Sequence, residues 1–551
     1  LPTLTIDGRQ VSMPDGSTVI QAAEKLGNFI PRYCYHPGLS IAGNCRICLV
    51  EVEKSPKLQI ACNTPVSEGM VVYTKSDKAE DGRRAVLEFL LANHPLDCPV
   101  CDQSGECDLQ NFYMNFGLYD PRFREQKVKK KKAVALGPHV MLDQERCILC
   151  SRCVRFTDEI SKTGEFGIFN RGDRAELALY PGQQLENPYS GNVVDICPVG
   201  ALTERDFRFK ARVWYLSSAP SVCNRCAQGC NVDVHFVLDR PHLNNGARVM
   251  RVKPRYNPEV NQWWMCDEGR FGFEWVDRDR LTTVRHNDSE SSWDEAVSEI
   301  LPRLSALTDP GAGQRLGVIA SSRQTNEDLY LIRQLFEKEL GARVSAAVAM
   351  PKGYSDDFLI KADKTPNSLG ARLIGFNGHD GDAVAQMMTD AMEGRLTALW
   401  VFDHDLSMFG AGVLKDLART LELFVYCGTN HNDTSSAAQW ALPAAAYLEK
   451  DGTFVNCDGR VQRIGRAFAP LGESREDWRL LLDLALRLDR PFPYRNPAEI
   501  FLALAEAVPA FSGLNYEEIG EHGEMCHTVA ATKAEPQSGE GTGGGVPPQI
   551  R

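Results

Sequence analysis

Cys147-Ile148-Leu149-Cys150-Ser151-Arg152-Cys153, completed at a distance by Cys197-Pro198, is the stretch on which the reading of this chain turns. Three cysteines spaced C-x2-C-x2-C with a remote Cys-Pro form the pattern that holds a 4Fe-4S cubane. Three thiolates come from one tight loop and the fourth from elsewhere. Two-cluster ferredoxins carry two such runs that exchange their fourth ligands. No second complete run exists here, so Cys197 is expected to return to the Cys147 loop.

Three further groups flank this one. Upstream lie Cys34, Cys45, Cys48 and Cys62, spaced C-x10-C-x2-C-x13-C, with Gly43 just before Cys45. A thiolate-rich site needs backbone N–H groups near its sulfurs, and a glycine lets the chain turn closely enough to supply them. The ferredoxin-like surroundings favour a 2Fe-2S cluster there. Next come His94, Cys98, Cys101 and Cys107, one imidazole beside three thiolates, a set that by itself also fits zinc. Downstream lie Cys223, Cys226, Cys230 and Cys266, which suit a cubane or, in isolation, zinc. Four groups in tandem favour iron, because zinc sites do not need neighbours whereas redox centres must lie within reach of one another.

The totals agree. Of 18 cysteines, 15 lie between Cys34 and Cys266. A disulfide framework this dense suits a short secreted chain, not one of 551 residues. That length suggests three or four domains at roughly 150 residues each. The formal net charge of -12, with no broad basic stripe, argues against nucleic-acid binding. No apolar run of about 18 residues predicts a membrane span. The first residues, Leu1 to Gly8, lack a basic stretch followed by an apolar one and do not read as a secretory signal.

Residues 1–78 read as a small mixed domain. Leu4–Ile6 and Gln10–Met13 flank the hairpin signal Asp7-Gly8, and Ser17-Thr18 caps a helix carrying Val19, Ile20, Ala23 and Leu26. Leu49–Glu53 alternates as a strand. Residues 79–93 read as a helix with Val86, Phe89 and Leu90 on one face, stopped by Pro95. Lys127 and Lys129 to Lys132 form a basic run, read as a solvated loop. Beyond about residue 273 the cysteines thin out and βα patterns appear. Leu316–Ala320, Ala398–Phe402 and Leu423–Tyr426 are strand candidates, and Thr325 with Asp328 caps a helix running to Phe336. This alternation predicts a parallel sheet covered on both faces. Residues 533–551 read as a disordered tail.

These residues, in this order, resemble the large iron–sulfur electron-transfer subunit of bacterial NADH:quinone oxidoreductase, respiratory complex I. The resemblance implies a 2Fe-2S cluster on Cys34, Cys45, Cys48 and Cys62. It implies 4Fe-4S clusters on His94, Cys98, Cys101 and Cys107, on Cys147, Cys150, Cys153 and Cys197, and on Cys223, Cys226, Cys230 and Cys266. The last set occurs in some bacterial members, which implies a bacterial origin. The segments Leu442–Tyr447, Glu449–Asn456 and Gly459–Gln462 are similar to a part of the molybdopterin-oxidoreductase superfamily. In this branch that domain is expected to hold no molybdenum cofactor. The implied fold is multidomain, α+β and α/β: a β-grasp 2Fe-2S ferredoxin (1–78), a 4Fe-4S module with one histidine ligand (79–125), a 4Fe-4S ferredoxin-like module (126–215), a 4Fe-4S module of molybdopterin-oxidoreductase type (216–272) and a truncated molybdopterin-oxidoreductase-like α/β domain (273–532).

By the same resemblance, electrons pass from the flavin- and NADH-binding subunit through these clusters, the Cys34 site first, then the Cys147 site, then the His94 site. They leave through a downstream 4Fe-4S subunit toward quinone, coupled to proton translocation by the whole complex. The implied partners are that flavin subunit, a 2Fe-2S subunit, the downstream 4Fe-4S subunit and the quinone-site subunits. The implied location is peripheral, on the bacterial cytoplasmic side of the inner (plasma) membrane, with membrane association only through the complex. The chain itself is expected to offer no substrate site and no catalytic residue, and it lacks a G-x-G-x-x-G fingerprint after a strand. Two relatives share the N-terminal cluster set. A hydrogenase needs more cysteines after the fourth group than Cys427, Cys457 and Cys526 supply. An NAD-linked formate dehydrogenase needs a Cys-His dipeptide at molybdenum, and Cys526-His527 falls too near the end, beyond the expected fold. Cys427 and Cys457 read as buried thiols.

Overall fold

The computed structural model describes residues 1–118, 120, 122–287, 289–307, 315–347, 352–376 and 382–527. The expected tail at 533–551 lies outside the described residues. The chain divides into two compact units. Residues 1–219, 232–257 and 261–277 form the first; residues 220–231, 258–260 and those from 278 onward form the second.

The first unit opens with a five-stranded sheet. Thr3–Ile6 pairs antiparallel with Arg9–Ser12 across Asp7-Gly8, both of which have positive φ (48° and 82°). Two such residues let the turn follow the twist of its strands. Val71–Tyr73 then runs parallel to Thr3–Ile6 and antiparallel to Leu49–Val52, which pairs with Gln59–Ile60. The helix Val19–Lys25 starts where the Gln21 side chain accepts a hydrogen bond from the Thr18 N–H at 2.8 Å. It buries Val19, Ile20, Ala22 and Ala23 against Leu4, Ile6, Val50 and Val72. Cys48 and Cys62 belong to the same core, so the sheet fixes half of the first cysteine group.

The helix Asp77–Asn93 begins at Ser76, whose hydroxyl accepts the Ala79 N–H. Its buried face keeps Val86 and Leu90, as expected, but not Phe89. Leu87 is buried, Val86 and Leu90 are partly so, and Phe89 is 81% exposed. At 3.6 residues per turn Phe89 stands about 200° from Leu87, on the opposite side. The basic run is also more ordered than a solvated loop. Lys127 donates to the carbonyls of Leu91 (2.7 Å) and Ala92 (2.9 Å) at the open end of this helix. Lys132 pairs with Asp97, Asp143 and Glu145.

The second unit is built on a seven-stranded sheet. Its order is Ser289–Glu290, Arg285–His286, Trp440–Pro443, Leu423–Gly428, Ala398–Phe402, Leu316–Ser321, Arg343–Ala347, and the last five are parallel. The three central strands are buried along their whole length. Alternate residues serve the two faces: Val318, Trp400, Phe402 and Val425 pack into one core, Ile319, Leu399, Val401 and Phe424 into the other. A parallel sheet clad in helices needs this continuous apolar run. Thr325 caps the helix Asn326–Ile332, which continues as a π-helical segment Arg333–Glu339. Cys427 is buried, but Cys457 is exposed, against expectation. Cys526 is buried too, its N–H bonded to the Gly459 carbonyl at 2.8 Å, so it belongs to the folded unit rather than lying beyond it.

The segment Glu449–Asn456 explains itself as a polar knot. Glu449 meets Arg280 at 2.8 Å, and Lys450 meets Asp328 at 2.7 Å and Asp477 at 2.6 Å, all buried. A Cβ on Gly452 would come within 2.5 Å of Thr325 Cγ2. Thr453 donates through its N–H and its hydroxyl to Glu327, which also accepts from Tyr516, each at 2.9 Å. Burial opposes the charge on Lys450, but Asp328 and Asp477 outweigh it and hold its pKa above the usual value. Lys450→Met would leave two buried carboxylates without their cation, a loss on the order of 3–5 kcal/mol. The check is faster hydrogen exchange in Leu316–Ser321 and Trp440–Pro443 of the full chain.

Burial pushes the Glu327 carboxyl up to about 7 against its hydrogen bonds. The folded chain therefore keeps this proton to higher pH than the unfolded chain does. Stability from this group is greatest below the ordinary value of 4.5 and falls as pH rises toward about 7. At about 1.4 kcal/mol per unit the change is roughly 3 kcal/mol. Denaturation of Glu327→Gln between those limits should show a flatter pH dependence than the parent.

Candidate metal centres

The Cys147 group is assembled from two segments of the first unit. Leu149 and Ser151 have positive φ (55° and 60°), which curls the loop around its sulfurs, and the Leu149 N–H reaches Cys147 Sγ at 3.4 Å. Successive inward N–H groups of this kind suit a negatively charged guest. Ser151 precedes the helix Arg152–Glu159, which carries Cys153. Cys147, Cys150, Cys153 and Cys197 line one cavity, closed by Ile168, Leu177, Val199 and Leu202. Burial raises the Cys147 thiol to about 12 and Cys150 to about 11, and holds Cys153 well above its normal value. Four thiols so arranged are a donor set that fits an iron–sulfur cluster, which would hold them as thiolates.

The His94 group forms a second cavity. His94 ends the helix Asp77–Asn93 and faces Cys98, Cys101 and Cys107, with Asp97, Gln110, Arg146 and Gly200 completing the wall. Burial, then Arg146 and Lys127, lower the His94 pKa to about 4, so its imidazole is neutral and has a lone pair to give. Cys107 caps the helix Asp108–Phe116, and Cys98 is the exposed member. Three thiols and one neutral imidazole fit a cluster with a single nitrogen ligand.

In the Cys34 group the thiols contact one another. Cys45 and Cys62 thiols turn onto Cys34, and Cys48 interacts with Cys62. These contacts and the N–H groups of Cys45 and Asn44 draw the Cys34 thiol well below its ordinary value. Gly43 has a φ of 62°, as a loop this tight requires, and a Cβ there would meet Ile60 Cδ1 at 3.2 Å. The set fits a small two-iron guest.

The fourth group divides between the two units. Cys266, in the first, caps the helix Asp267–Phe271 and accepts the Gly269 N–H at 3.4 Å. Cys223, Cys226 and Cys230 sit in the second, on a loop closed by the Cys223 N–H to the Cys230 carbonyl at 2.8 Å. The 456–462 segment grips that loop. Gln462 Nε2 donates to the Gly229 carbonyl (2.9 Å), Asn456 Nδ2 to Gln228 (3.3 Å) and the Cys457 N–H to Ala227 (2.7 Å).

Several residues with a part in these sites escape a reading based on cysteine spacing. Buried Arg152 donates to the carbonyls of Ile196 (3.0 Å) and Tyr35 (2.7 Å), and Arg155 donates to the Cys34 carbonyl (2.5 Å). Together they tie the Cys34 loop to the Cys147 loop. Their position inside the C-x2-C-x2-C run and just after it was the available signal. Gly200 is another. A Cβ there would lie 2.3 Å from Cys101 Sγ. Gly200→Ala should therefore displace that sulfur and abolish the paramagnetic signal of the His94 site while sparing that of the Cys34 site, a result that low-temperature EPR of the reduced protein would read.

Comparison with known families and proteins gives a consistent result. Residues 3–77 match a 2Fe-2S iron-sulfur cluster binding domain, and 83–122 match the NADH-ubiquinone oxidoreductase-G iron-sulfur binding region. Residues 137–203 match the ferredoxin-like domain of NADH-quinone oxidoreductase subunit 3. Residues 216–278 match a molybdopterin oxidoreductase Fe4S4 domain, and 375–487 molybdopterin oxidoreductase itself. The chain is 40% identical to the G subunit of NADH-quinone oxidoreductase from Rickettsia conorii, over 93% of this chain and 91% of that protein. It is 33% identical to the mitochondrial NADH-ubiquinone oxidoreductase 78 kDa subunit of Candida albicans, over 92% and 85%. Among solved structures, a chain of NAD+-reducing [NiFe]-hydrogenase shares 32% identity over 38% of this chain and 91% of that one, with a TM-score of 0.35.

Proposed function

The chain belongs to the family of the G subunit of NADH-quinone oxidoreductase, the iron–sulfur electron-transfer subunit of respiratory complex I, and on that premise we propose how its residues divide the work. Cys147, Cys150, Cys153 and Cys197 hold a 4Fe-4S cluster, His94, Cys98, Cys101 and Cys107 a second, and Cys223, Cys226, Cys230 and Cys266 a third, while Cys34, Cys45, Cys48 and Cys62 hold a 2Fe-2S cluster. When bound, these groups supply the one-electron carriers for transfer from a flavin- and NADH-binding subunit toward quinone. The observation that carries the reading is the convergence of Cys197, from a distant segment, on the same cavity as the Cys147 loop.

The protein's part is to exclude water, orient the ligands and set the charge around them. Ile168, Leu177 and Leu202 keep the Cys147 cavity apolar. Arg152 and Arg155 fix that loop beside the Cys34 loop, so the distance between the two sites is built into the backbone. A neutral imidazole in place of a thiolate reduces the negative charge at the His94 site, which raises its affinity for an electron relative to an all-thiolate site. Phe89, Leu96 and Val100, near that site, are 81%, 88% and 60% exposed. This apolar skin suits the downstream 4Fe-4S subunit as a partner. The modules follow the boundaries 1–78, 79–125, 126–215, 216–272 and 273–532. The assembly lies peripherally on the bacterial cytoplasmic side of the inner membrane; no helix among the described residues is long and apolar enough to cross one.

Metal analysis of the anaerobically isolated chain should give about 14 irons, from one two-iron and three four-iron clusters, and no molybdenum. Cys197→Ser should remove one cubane signal and stop NADH-to-quinone electron flow. Full turnover in that variant would refute the assigned ligands. Molybdenum in the second unit would favour the formate-dehydrogenase reading.

A further inference from the structure

Within the first unit a polar cavity with room for about one water molecule lies beside the two cubane sites. Asp102 and Glu106 enter it from the loop that carries Cys101 and Cys107, Asp195 from just before Cys197, Glu204 from the strand Leu202–Glu204, and Arg251 and Lys253 from the strand Val249–Pro254. Three of the four carboxylates have firm donors. Glu106 takes two hydrogen bonds from Arg251, both 2.8 Å. Asp195 pairs with Arg270 and lies 3.7 Å from Lys253. Asp102 accepts the Phe209 N–H at 2.8 Å.

Glu204 is the exception. It is 5% exposed and lines the cavity, yet among the described residues no protein group donates a hydrogen bond to its carboxyl. Arg270 and Arg251 face it at longer range, opposed by Asp195 and by exposed Asp206. His235 accepts from Arg251 at 3.0 Å and is uncharged. Arg251, Lys253, Arg270 and Arg212, which faces Asp102, thus stand against Asp102, Glu106, Asp195 and Asp267, which faces Arg270, and a further negative charge at Glu204 has no counterpart. Leu202, on the same strand, lines the Cys147 cavity. Two strand residues span about 7 Å, so a charge added in that cavity acts on Glu204 through protein rather than through bulk water.

We propose that Glu204 is a proton-uptake site coupled to the Cys147 site: as that site gains an electron, a proton enters through the cavity and converts the Glu204 carboxylate to the acid. The electron comes from the upstream donor of the complex and the proton from solvent water, so one negative and one positive charge arrive together. The idea rests on Cys147, Cys150, Cys153 and Cys197 holding a four-iron cluster. Burial, partly offset by Arg270, places the Glu204 carboxyl at about 7, within reach of such a change.

The test is an EPR redox titration of the Cys147-site signal in the intact complex between about pH 6 and pH 8, paired with redox-difference infrared spectra of the carboxyl region in H2O and D2O. The potential should fall as pH rises, toward a limit of tenfold in the equilibrium, or about 59 mV, per pH unit. A deuterium-sensitive carboxyl band should appear on reduction. Glu204→Gln should flatten the slope and remove the band, and Glu204→Asp should keep both. Lys253→Met removes a cation from the wall and should move the pH response upward even if Glu204→Gln does not assemble. A pH-independent potential in the parent, a band that survives Glu204→Gln, or an unmoved response in Lys253→Met would overturn the proposal. A missing four-iron signal would instead sink the ligand assignment, and the coupling with it.

Discussion

The structure depends on one constraint: several thiolates cannot share a buried pocket unless something compensates their charge. In the Cys147 and His94 sites burial, reinforced by neighbouring negative charge, drives the buried sulfurs Cys150 and Cys107 toward the protonated form, each at about 11. A bound cluster of the proposed kind would supply most of the compensation. The protein supplies the rest through backbone N–H groups, and it must bend the chain to aim them. That is why Leu149, Ser151 and Arg46, none of them glycine, adopt positive φ beside cysteines, a conformation that costs energy for residues with a Cβ.

Buried arginines meet the same demand from a distance. Arg146 and Arg152 are both nearly inaccessible, and both stand beside a cysteine cavity with carbonyl or carboxylate partners of their own. Each adds positive charge near sulfur and at the same time ties segments that are remote in sequence. Arg152 spans 117 residues to reach the Tyr35 carbonyl. Charge compensation and the spacing of the cysteine sites are therefore set by the same side chains.

The second unit solves a different problem. Beside its parallel sheet, buried charged groups pair with one another. Arg280 meets Glu449, Lys450 meets Asp328 and Asp477, and Glu327 meets Thr453 and Tyr516. The neighbouring segment Asn456–Gln462 holds the Cys223 loop by its carbonyls. The segments similar to molybdopterin oxidoreductases thus have structural work in this chain, as a knot and as a clasp.

The sequence by itself determined the cysteine grouping, the Asp7-Gly8 hairpin, the Thr325 cap and the central strands, because each rests on local spacing: ligands within one loop, two positive-φ turn residues, one turn of helix, a continuous apolar run. Tertiary structure alone decided what depends on chain segments meeting. It turned Phe89 outward, exposed Cys457, placed Cys526 in the fold, pinned the Lys127–Lys132 run to helix-end carbonyls and carboxylates, and left Glu204 without a donor. The physical reason is that burial and charge compensation are properties of a place in three dimensions, to which residues far apart in the chain contribute equally, and no periodicity along one chain encodes which of them will meet.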